Sequence, residues 1–490
     1  MQLSAISEKR TQHDNDARVH AVDAGSAVLP KDAVDTVDQD STRSFLSSSV
    51  VLFGSRAFGA TAGFATQVLL ARAIPADDLG TFFFATSIAA VLGLVAAAGY
   101  PDVAIRFFAR YRERSRSRLL GAFVQQCRRE AIWASLAAIM ATLAFAFFFA
   151  AESMEERWAI AIAAFAIPAF ALNWLNSAYA VAVRQFALSQ LPDILGRPIL
   201  FLLAVGAMLL AGFEASAITL VALFSIVAIA MTVLQAAGLR RHLITPRVAP
   251  ARVARVGSLW RRASAPLIVV SLFTSLFADL DLAMLGLLLP VASLAIFGIC
   301  LKLAFLVGFV IQVVQQFAAP DMAEAQLRGD GRLFYRAVAN ANYVCFGTTV
   351  VVFAGVVICG DYVLAAFGPA YVAGYPTLVI LTFAQVLRAA FGPNLNVLTT
   401  LGAGQQMAVV STVAVAVLAV ANLLLAPHWG AVGAACAVAL TALFWSGSLA
   451  VVLYRLSGLR TDIMATVLRS YAPQHGTPAL EAGVATPHRS

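Results

Sequence analysis

Apolar residues run along this chain in blocks too long for one buried face of a soluble helix and too continuous for a strand. A helix needs about 20 apolar residues to cross the hydrocarbon core of a bilayer. Blocks of that kind recur near 45–72, 79–101, 130–150, 158–183, 191–212, 215–239, 263–288, 292–318, 335–360, 373–400, 405–427 and 430–455, separated by short polar stretches. The pattern predicts an all-α polytopic membrane protein of about twelve transmembrane helices. The opening stretch to about Thr42 and the stretch from about Ala472 onward are polar and mixed in charge, and the first has no apolar core of the kind a signal peptide needs. Both read as disordered tails.

The polar stretches sort by charge. Alternate loops carry arginines: Arg106, Arg110, Arg112, Arg114, Arg116 and Arg118, then Arg184, then Arg240, Arg241, Arg247, Arg252, Arg255, Arg261 and Arg262, then Arg328, Arg332 and Arg336, then Arg455 and Arg460. The loops between them carry Glu152, Glu155, Glu156, Glu214 and Asp361. Positive charge marks the cytoplasmic side, so the alternation predicts an even number of spans in a bacterial inner membrane, with both termini cytoplasmic. The implied organisation is a tail over 1–43, an N-terminal six-helix bundle over 44–240, a basic linker over 241–262, a C-terminal six-helix bundle over 263–456, and a tail over 457–490. Within Leu456–Tyr471, the residues Leu456, Leu459, Ile463, Val467 and Tyr471 share one side, as in an interfacial helix.

Composition agrees and narrows the function. The chain is 60% hydrophobic and 12% charged with a mean hydropathy of +0.82, against about a quarter charged in soluble proteins. A net charge of +8 belongs to the arginine loops rather than to a nucleic-acid surface. Cys127, Cys300, Cys345, Cys359 and Cys436 lie in or beside apolar blocks without a CxxC spacing and read as small packing residues. No phosphate-binding loop, zinc motif or nucleophile elbow is present. The outer loops are too short to house the active site of a membrane polymerase or ligase. Neither an enzyme nor a cofactor is expected.

The two halves echo each other. Pro75, Leu79 and Phe82 recur as Pro290, Leu294 and Phe297, a displacement of 215 residues that also carries Gly93 onto Gly308. An even number of helices per repeat gives halves of like topology, the parallel arrangement that places a substrate cavity between two bundles.

Charged and amide groups inside spans are costly, by roughly 2.5–3.5 kcal/mol or more at the bilayer centre, and so mark candidate sites. Arg56 shares a helical face with Gly59, Gly63 and Gln67; the stripe reads as cavity lining, or as a close-packing surface with Arg56 reaching to the interface. Asp279 and Asp281 sit about 200° apart around their helix and flank a stripe of Ser271, Ser275 and Ala278. Either carboxylate is a candidate for a coupling proton or sodium ion, or for an ion pair with Lys302 or Arg56. Lys302 is a second candidate cavity cation. Gln385, Arg388, Gly392, Asn396 and Thr399 align on one face of a helix that Pro393 should kink, and read as lining or as interhelical hydrogen-bonding groups. Asn173, Asn176 and Arg184, with Trp174 and Tyr179 nearby, suit sugar recognition, and suit packing and interface anchoring slightly better.

Several of these segments resemble one family. Leu70-Ala-Arg-Ala-Ile-Pro-Ala-Asp-Asp-Leu-Gly-Thr-Phe82 and Ala98-Gly-Tyr-Pro-Asp-Val-Ala-Ile-Arg-Phe107 resemble the first hairpin and second-span end of Wzx-type polysaccharide flippases. Phe367-Gly368, Tyr371, Gly374-Tyr375-Pro376, Ile380-Leu381, Gly392-Pro393, Leu401-Gly402 and the run Gly430-Ala-Val-Gly-Ala-Ala-Cys-Ala-Val438 are similar to their later spans, so the resemblance covers about 45–455. These flippases belong to the multidrug/oligosaccharidyl-lipid/polysaccharide exporter superfamily. The resemblance implies two MATE-like six-helix bundles around a cationic central cavity. It implies transfer of undecaprenyl-diphosphate-linked oligosaccharide between leaflets by alternating access. It places Arg106 on the arginine common at the end of the second span. The implied partners are the lipid-linked saccharide, membrane lipids, glycosyltransferase or polymerase machinery, and a proton or sodium ion. A cation-coupled multidrug or metabolite exporter of the same superfamily is the alternative, and a polymerase or ligase a more distant one.

Overall fold

In a computed structural model, the described residues are 54, 58–148 except 115, 153–242, 250–327 and 331–471. Arg56, Glu152, Arg247, Arg328 and both tails lie outside them. Every regular element among the described residues is helical. Among the described residues nine helices are long and apolar enough to cross a membrane, ten with a pair bent at a short break. Helix α1 covers residues 58–73. Then come α2 (Ala76–Ala96), α3 (Tyr100–Glu113), α4 (Ser117–Phe148), α5 (Met154–Ala164), α6 (Ile167–Ala182), α7 (Phe186–Leu191), α8 (Arg197–Leu210) and α9 (Ala217–Arg240). The second half follows as α10 (Pro250–Ser264), α11 (Leu267–Ser275), α12 (Phe277–Leu285), α13 (Val291–Leu327), α14 (Gly331–Ala365), α15 (Tyr375–Ala390), α16 (Asn394–Thr400), α17 (Gly404–Ser457) and α18 (Ile463–Tyr471).

Local chemistry sets the ends. Pro75 precedes α2, whose first turn holds Asp77 and Asp78 against the positive end of the helix dipole. Ser216 and Thr219 close a capping box on α9. Gly430 leaves the helical region at φ 57° inside the 54 residues of α17, and the chain folds back there: Trp445 Nε1 donates to Ser411 Oγ at 3.4 Å. Thus α17 is a hairpin of two spans. Counting both arms brings the spans among the described residues to eleven, and the first predicted span, 45–72, is described chiefly as α1.

Four predicted spans are broken. The fourth breaks at Phe165–Ala166 and the tenth at Phe391–Pro393, where Pro393 predicts a kink. Two more break in ways the pattern does not register. The predicted span over 263–288 breaks at Leu276, where α11 and α12 meet at 87°. The predicted span from 191 opens with a π-helical turn over Pro192–Gly196 before α8. Apolar periodicity registers neither, because breaks of one turn leave the hydrophobic content unchanged.

The internal repeat has a structural counterpart. Pro75 and Pro290 each stand one residue before a span, α2 and α13, and these two helices carry the largest contact between the halves. A Cβ built on Gly80 would lie 1.8 Å from the Val291 carbonyl oxygen, and one on Gly298 would lie 2.5 Å from the Phe83 ring. The repeated glycines pack inward: Gly93 of α2 faces Phe170 of α6, and Gly308 of α13 faces Gln385 of α15. Glycine at these points lets two backbones approach, the close packing that membrane helices favour. The outward face of many helices is apolar and exposed, as at Leu203, Leu210, Val351 and Leu423.

Candidate functional site

Where α2 separates from the second half, a cavity of about 390 Å³ opens between the two groups of helices. From the first half it is lined by Gln67 of α1, Thr86 of α2, Asn173 and Trp174 of α6, Asp193 of the π turn and Arg197 of α8. Asp279 of α12 and Lys302 of α13 come from the second half. Phe82, Phe170, Phe201 and Phe224 supply an aromatic wall. Beside it lies an apolar groove of about 220 Å³ between α1 and α13, lined by Ala60, Phe64, Ile299, Leu303, Leu306 and Phe367. Groove and cavity share Gly63, Gln67 and Lys302.

Each charge in the cavity is accompanied. Arg197 reaches Asp193 at 2.7 Å, one helical turn away, and its guanidinium lies 4.9 Å from the Phe170 ring centre. Asp193 also accepts from Asn173 Nδ2 at 2.5 Å. The Lys302 ammonium stands 3.9 Å over the Phe83 ring, a cation–π geometry. Asp279 accepts from Ser87 at 3.3 Å and lies within electrostatic reach of Lys302 and Arg197. Among the described lining residues two cations therefore face two carboxylates. Three buried acceptor oxygens receive no hydrogen bond from the protein: Gln67 Oε1, Asn173 Oδ1 and Asp193 Oδ1.

The residues singled out from the sequence fall into several places. Gln67, Asn173, Lys302 and Asp279 meet at the cavity. Asp281, completely buried, turns the other way and accepts from Asn422 Nδ2 of α17 at 2.6 Å. The 200° between Asp279 and Asp281 separates a cavity carboxylate from an interior one. Gln385 and Arg388 bond each other at 3.1 Å beside Gly308, outside the lining of either cavity. Asn396 is half-buried in α16, also away from the lining. Asn176 is buried and accepts from Arg128 at 3.3 Å. Arg106 is exposed on α3. Asp193, Arg197 and Asn422 were not expected. The first two form an i, i+4 pair of opposite charge at the start of an apolar block, a signal the sequence does carry.

The two halves also touch away from the cavity. Near Asp78, α2 packs against α13. At the arginine-rich end Gly99, with φ +66°, packs where a Cβ would lie 2.2 Å from the Ser264 carbonyl oxygen, and Asp102 accepts from Ser271 Oγ at 2.6 Å. Thus α3 is pinned to the end of α10 and to α11.

Solved structures with this arrangement are transporters. The chain is similar to the lipid II flippase MurJ in an inward-closed conformation, with a TM-score of 0.65 and 13% identity over 82% of this chain and 87% of that one. It is similar to an inward-facing multidrug-resistance MATE family transporter of the MOP superfamily, with a TM-score of 0.64 and 11% identity over 84% of this chain and 96% of that one. No family model matches the sequence, and no curated protein matches it. The fold thus defines a class: a multi-pass, all-α membrane protein built as MATE-type transporters and MurJ are.

Proposed function

We propose that this protein is a flippase that carries undecaprenyl-diphosphate-linked oligosaccharide from the cytoplasmic to the outer leaflet of a bacterial inner membrane by alternating access. The observation that carries this reading is the continuity of the apolar groove with the polar cavity through Gly63, Gln67 and Lys302. A lipid-linked saccharide is itself divided in this way. Its polyprenyl chain suits a groove of Ala60, Phe64, Leu303 and Leu306 open to lipid, and its polar head suits the cavity. A diphosphate moved through hydrocarbon without partners costs many kcal/mol. Lys302, at the junction, and Arg197, deeper in, offer charge-assisted hydrogen bonds that offset this.

A volume of about 390 Å³ lies at the low end of small-ligand sites, so an oligosaccharide needs the halves to part. The contacts to be broken are Gly80 with Val291 at one end and Asp102 with Ser271 at the other. Asp281 is the candidate coupling group. A buried carboxylate with a single amide donor takes up a proton or a cation to offset the loss of water. Its Oδ2 and Asn422 Oδ1 are both buried and accept no hydrogen bond.

The aromatic, charge-balanced wall favours a second reading, a cation-coupled exporter of amphipathic small molecules. One experiment separates them. The full chain is reconstituted in vesicles with a fluorescent undecaprenyl-diphosphate oligosaccharide, and loss of signal to an external quencher is followed. Faster quenching than in empty vesicles, slowed at least tenfold by Lys302→Ala, supports the flippase. Quenching no faster than in empty vesicles, with efflux of a lipophilic dye from the same vesicles, overturns it in favour of the exporter.

A further inference from the structure

We infer that Arg388 and Gln385 of α15 form a second anion site, in the second half, which takes the phosphate groups of the lipid-linked substrate before they reach Lys302. The inference rests on the flippase reading and adds a station to it.

Arg388 is a cation without a counter-charge. It stands near the middle of the predicted span 373–400, where a charged group is costly. Its Nη1 donates to Gln385 Oε1 at 3.1 Å, and among the described residues that amide is its only polar partner. No charged side chain among them lies within electrostatic reach. Arg197 and Lys302, by contrast, stand near Asp193 and Asp279 respectively. The bond to Gln385 lies within one helix, between residues three apart, so it ties α15 to no neighbour.

The donors are free and within reach. A guanidinium carries five N–H groups. Nε and Nη2 of Arg388, and Nε2 of Gln385, make no hydrogen bond with the described residues, and Arg388 is half-buried, so its fork still borders open space. The surroundings are otherwise apolar: Ala389 is buried with Ile311 of α13 and Cys345 of α14. A planar fork of donors in such surroundings suits a phosphate oxyanion.

The internal repeat aligns this position with the substrate path. The displacement of 215 residues that carries Gly93 onto Gly308 also carries Phe170 onto Gln385 and Asn173 onto Arg388. The contacts repeat with it: Gly93 of α2 faces Phe170 of α6, and Gly308 of α13 faces Gln385 of α15. Phe170 and Asn173 line the cavity. Gln385 and Arg388 are thus the second half's copy of a cavity wall, which the present arrangement of the halves leaves outside the lining. Gly308 is six residues beyond Lys302 on α13, about 9 Å nearer the arginine-rich end. A diphosphate entering from that end meets Arg388 first and Lys302 second.

The test measures binding to the full chain in phosphatidylcholine nanodiscs by native mass spectrometry, with undecaprenyl diphosphate, undecaprenol and phosphatidylglycerol as probes. Arg388→Met removes charge and fork, and Arg388→Lys keeps the charge alone. The expected result is undecaprenyl diphosphate bound at least tenfold more weakly by Arg388→Met and at least threefold more weakly by Arg388→Lys, with undecaprenol unchanged. Without ligand, Arg388→Met should unfold at a temperature no lower than wild type, because it removes an unmatched charge from an apolar interior. Weaker binding together with a lower unfolding temperature would make Arg388 a structural group and overturn the inference. Equal binding of undecaprenyl diphosphate by wild type and both variants, with weaker binding by Lys302→Ala, overturns the inference while the flippase reading stands. An equal loss of phosphatidylglycerol binding would mark a site for bulk-lipid headgroups and overturn the assignment to substrate. Failure of the wild-type chain to bind undecaprenyl diphosphate overturns the flippase reading itself, and this inference with it.

Discussion

Asn422 donates a 2.6 Å hydrogen bond to Asp281, tying the broken seventh span to the first arm of the α17 hairpin at a point outside the lining of either cavity. The neighbouring acid, Asp279, faces the cavity and Ser87. Two carboxylates two residues apart thus stand in different surroundings, one against the substrate path and one inside the second half. If Asp281 takes up the coupling ion, Asp281→Asn should abolish the stimulation of flipping by an imposed proton or sodium gradient. Asn422→Leu removes the donor and should lower stability by about 2 kcal/mol, as loss of a hydrogen bond to a charged group does. Gradient-driven flipping in vesicles and thermal unfolding in detergent check the two outcomes. A gradient response unchanged in Asp281→Asn would remove this pair from coupling.

The contact near Asp78 rests on the absence of side chains. A methyl group at Gly80 would fall 1.8 Å from the Val291 carbonyl oxygen, which is backbone and has no rotamer with which to yield. Gly80→Ala should therefore push α2 and α13 apart and open the cavity at that end. Ser87, buried on α2 and bonded to Asp279, is the reporter position. In a chain with Ser87→Cys and with exposed Cys359 replaced by serine, labelling by a membrane-impermeant maleimide from the outer side should rise several-fold when Gly80→Ala is added. Equal labelling with and without the added methyl would show that this contact does not gate the cavity.

The linker between the halves is anchored at its far end. Trp260 of α10 is fully buried, donates from Nε1 to Tyr111 Oη at 2.9 Å, and meets Phe123 edge-on at 5.2 Å. Gly257 packs on Gln126, which donates to Glu130 at 2.8 Å, and Tyr100 also donates to Glu130. The helix leading into α11 is thereby held to the first half, and Ala265 and Pro266 separate it from α11. Trp260→Ala should cost about 4 kcal/mol through the lost indole packing. Trp260→Phe should cost about 1 kcal/mol, the net worth of one hydrogen bond. Thermal unfolding in detergent checks both, and a Trp260→Ala protein as stable as wild type would place the linker free of the bundle.

The architecture was legible in the sequence because bilayer spans are set by block length and loop charge, both properties of composition along the chain. The repeat of Pro75 in Pro290 likewise pointed to the two helices that join the halves. The site was legible only in part. Gln67, Asn173, Lys302 and Asp279 are costly residues in apolar surroundings and stand out for that reason. Gln385 and Arg388 stand out equally, yet they pair with each other beside Gly308. Helical periodicity shows that residues share a face but not whether the face meets a cavity or a neighbouring helix. Asp193 and Arg197 were hidden by lying at the margin of an apolar block, where charge looks like a loop end. The π turn that carries them inward depends on packing against α1 and α9, where Gly59 meets Ile194 and Gly196 meets Met231.

The last helix is clamped to a break in the tenth span. Asn342 of α14, buried, donates to the Thr461 carbonyl oxygen at 2.5 Å and to Thr466 Oγ1 at 2.9 Å. Thr461 in turn donates to Asn394, the first residue of α16, while Gly392 at φ +73° leaves room for the Thr461 carbonyl. Asp462 caps α18 through the Ala465 amide at 2.7 Å. One face of α18 is thus docked, while Met464, Val467 and Leu468 are exposed; the single face expected over Leu456–Tyr471 is interrupted, since Gly458 ends α17 after Leu456 and Leu459 is buried. Because α18 is only nine residues long, it lacks the length to be stable by itself, and its order depends on the clamp. In Asn342→Leu the amide protons of residues 463–468 should exchange with solvent at least tenfold faster than in wild type, while those of α14 itself change little. Hydrogen exchange read by mass spectrometry in nanodiscs decides this. Unchanged protection of 463–468 would mean that the lipid surface, and not Asn342, holds the helix in place.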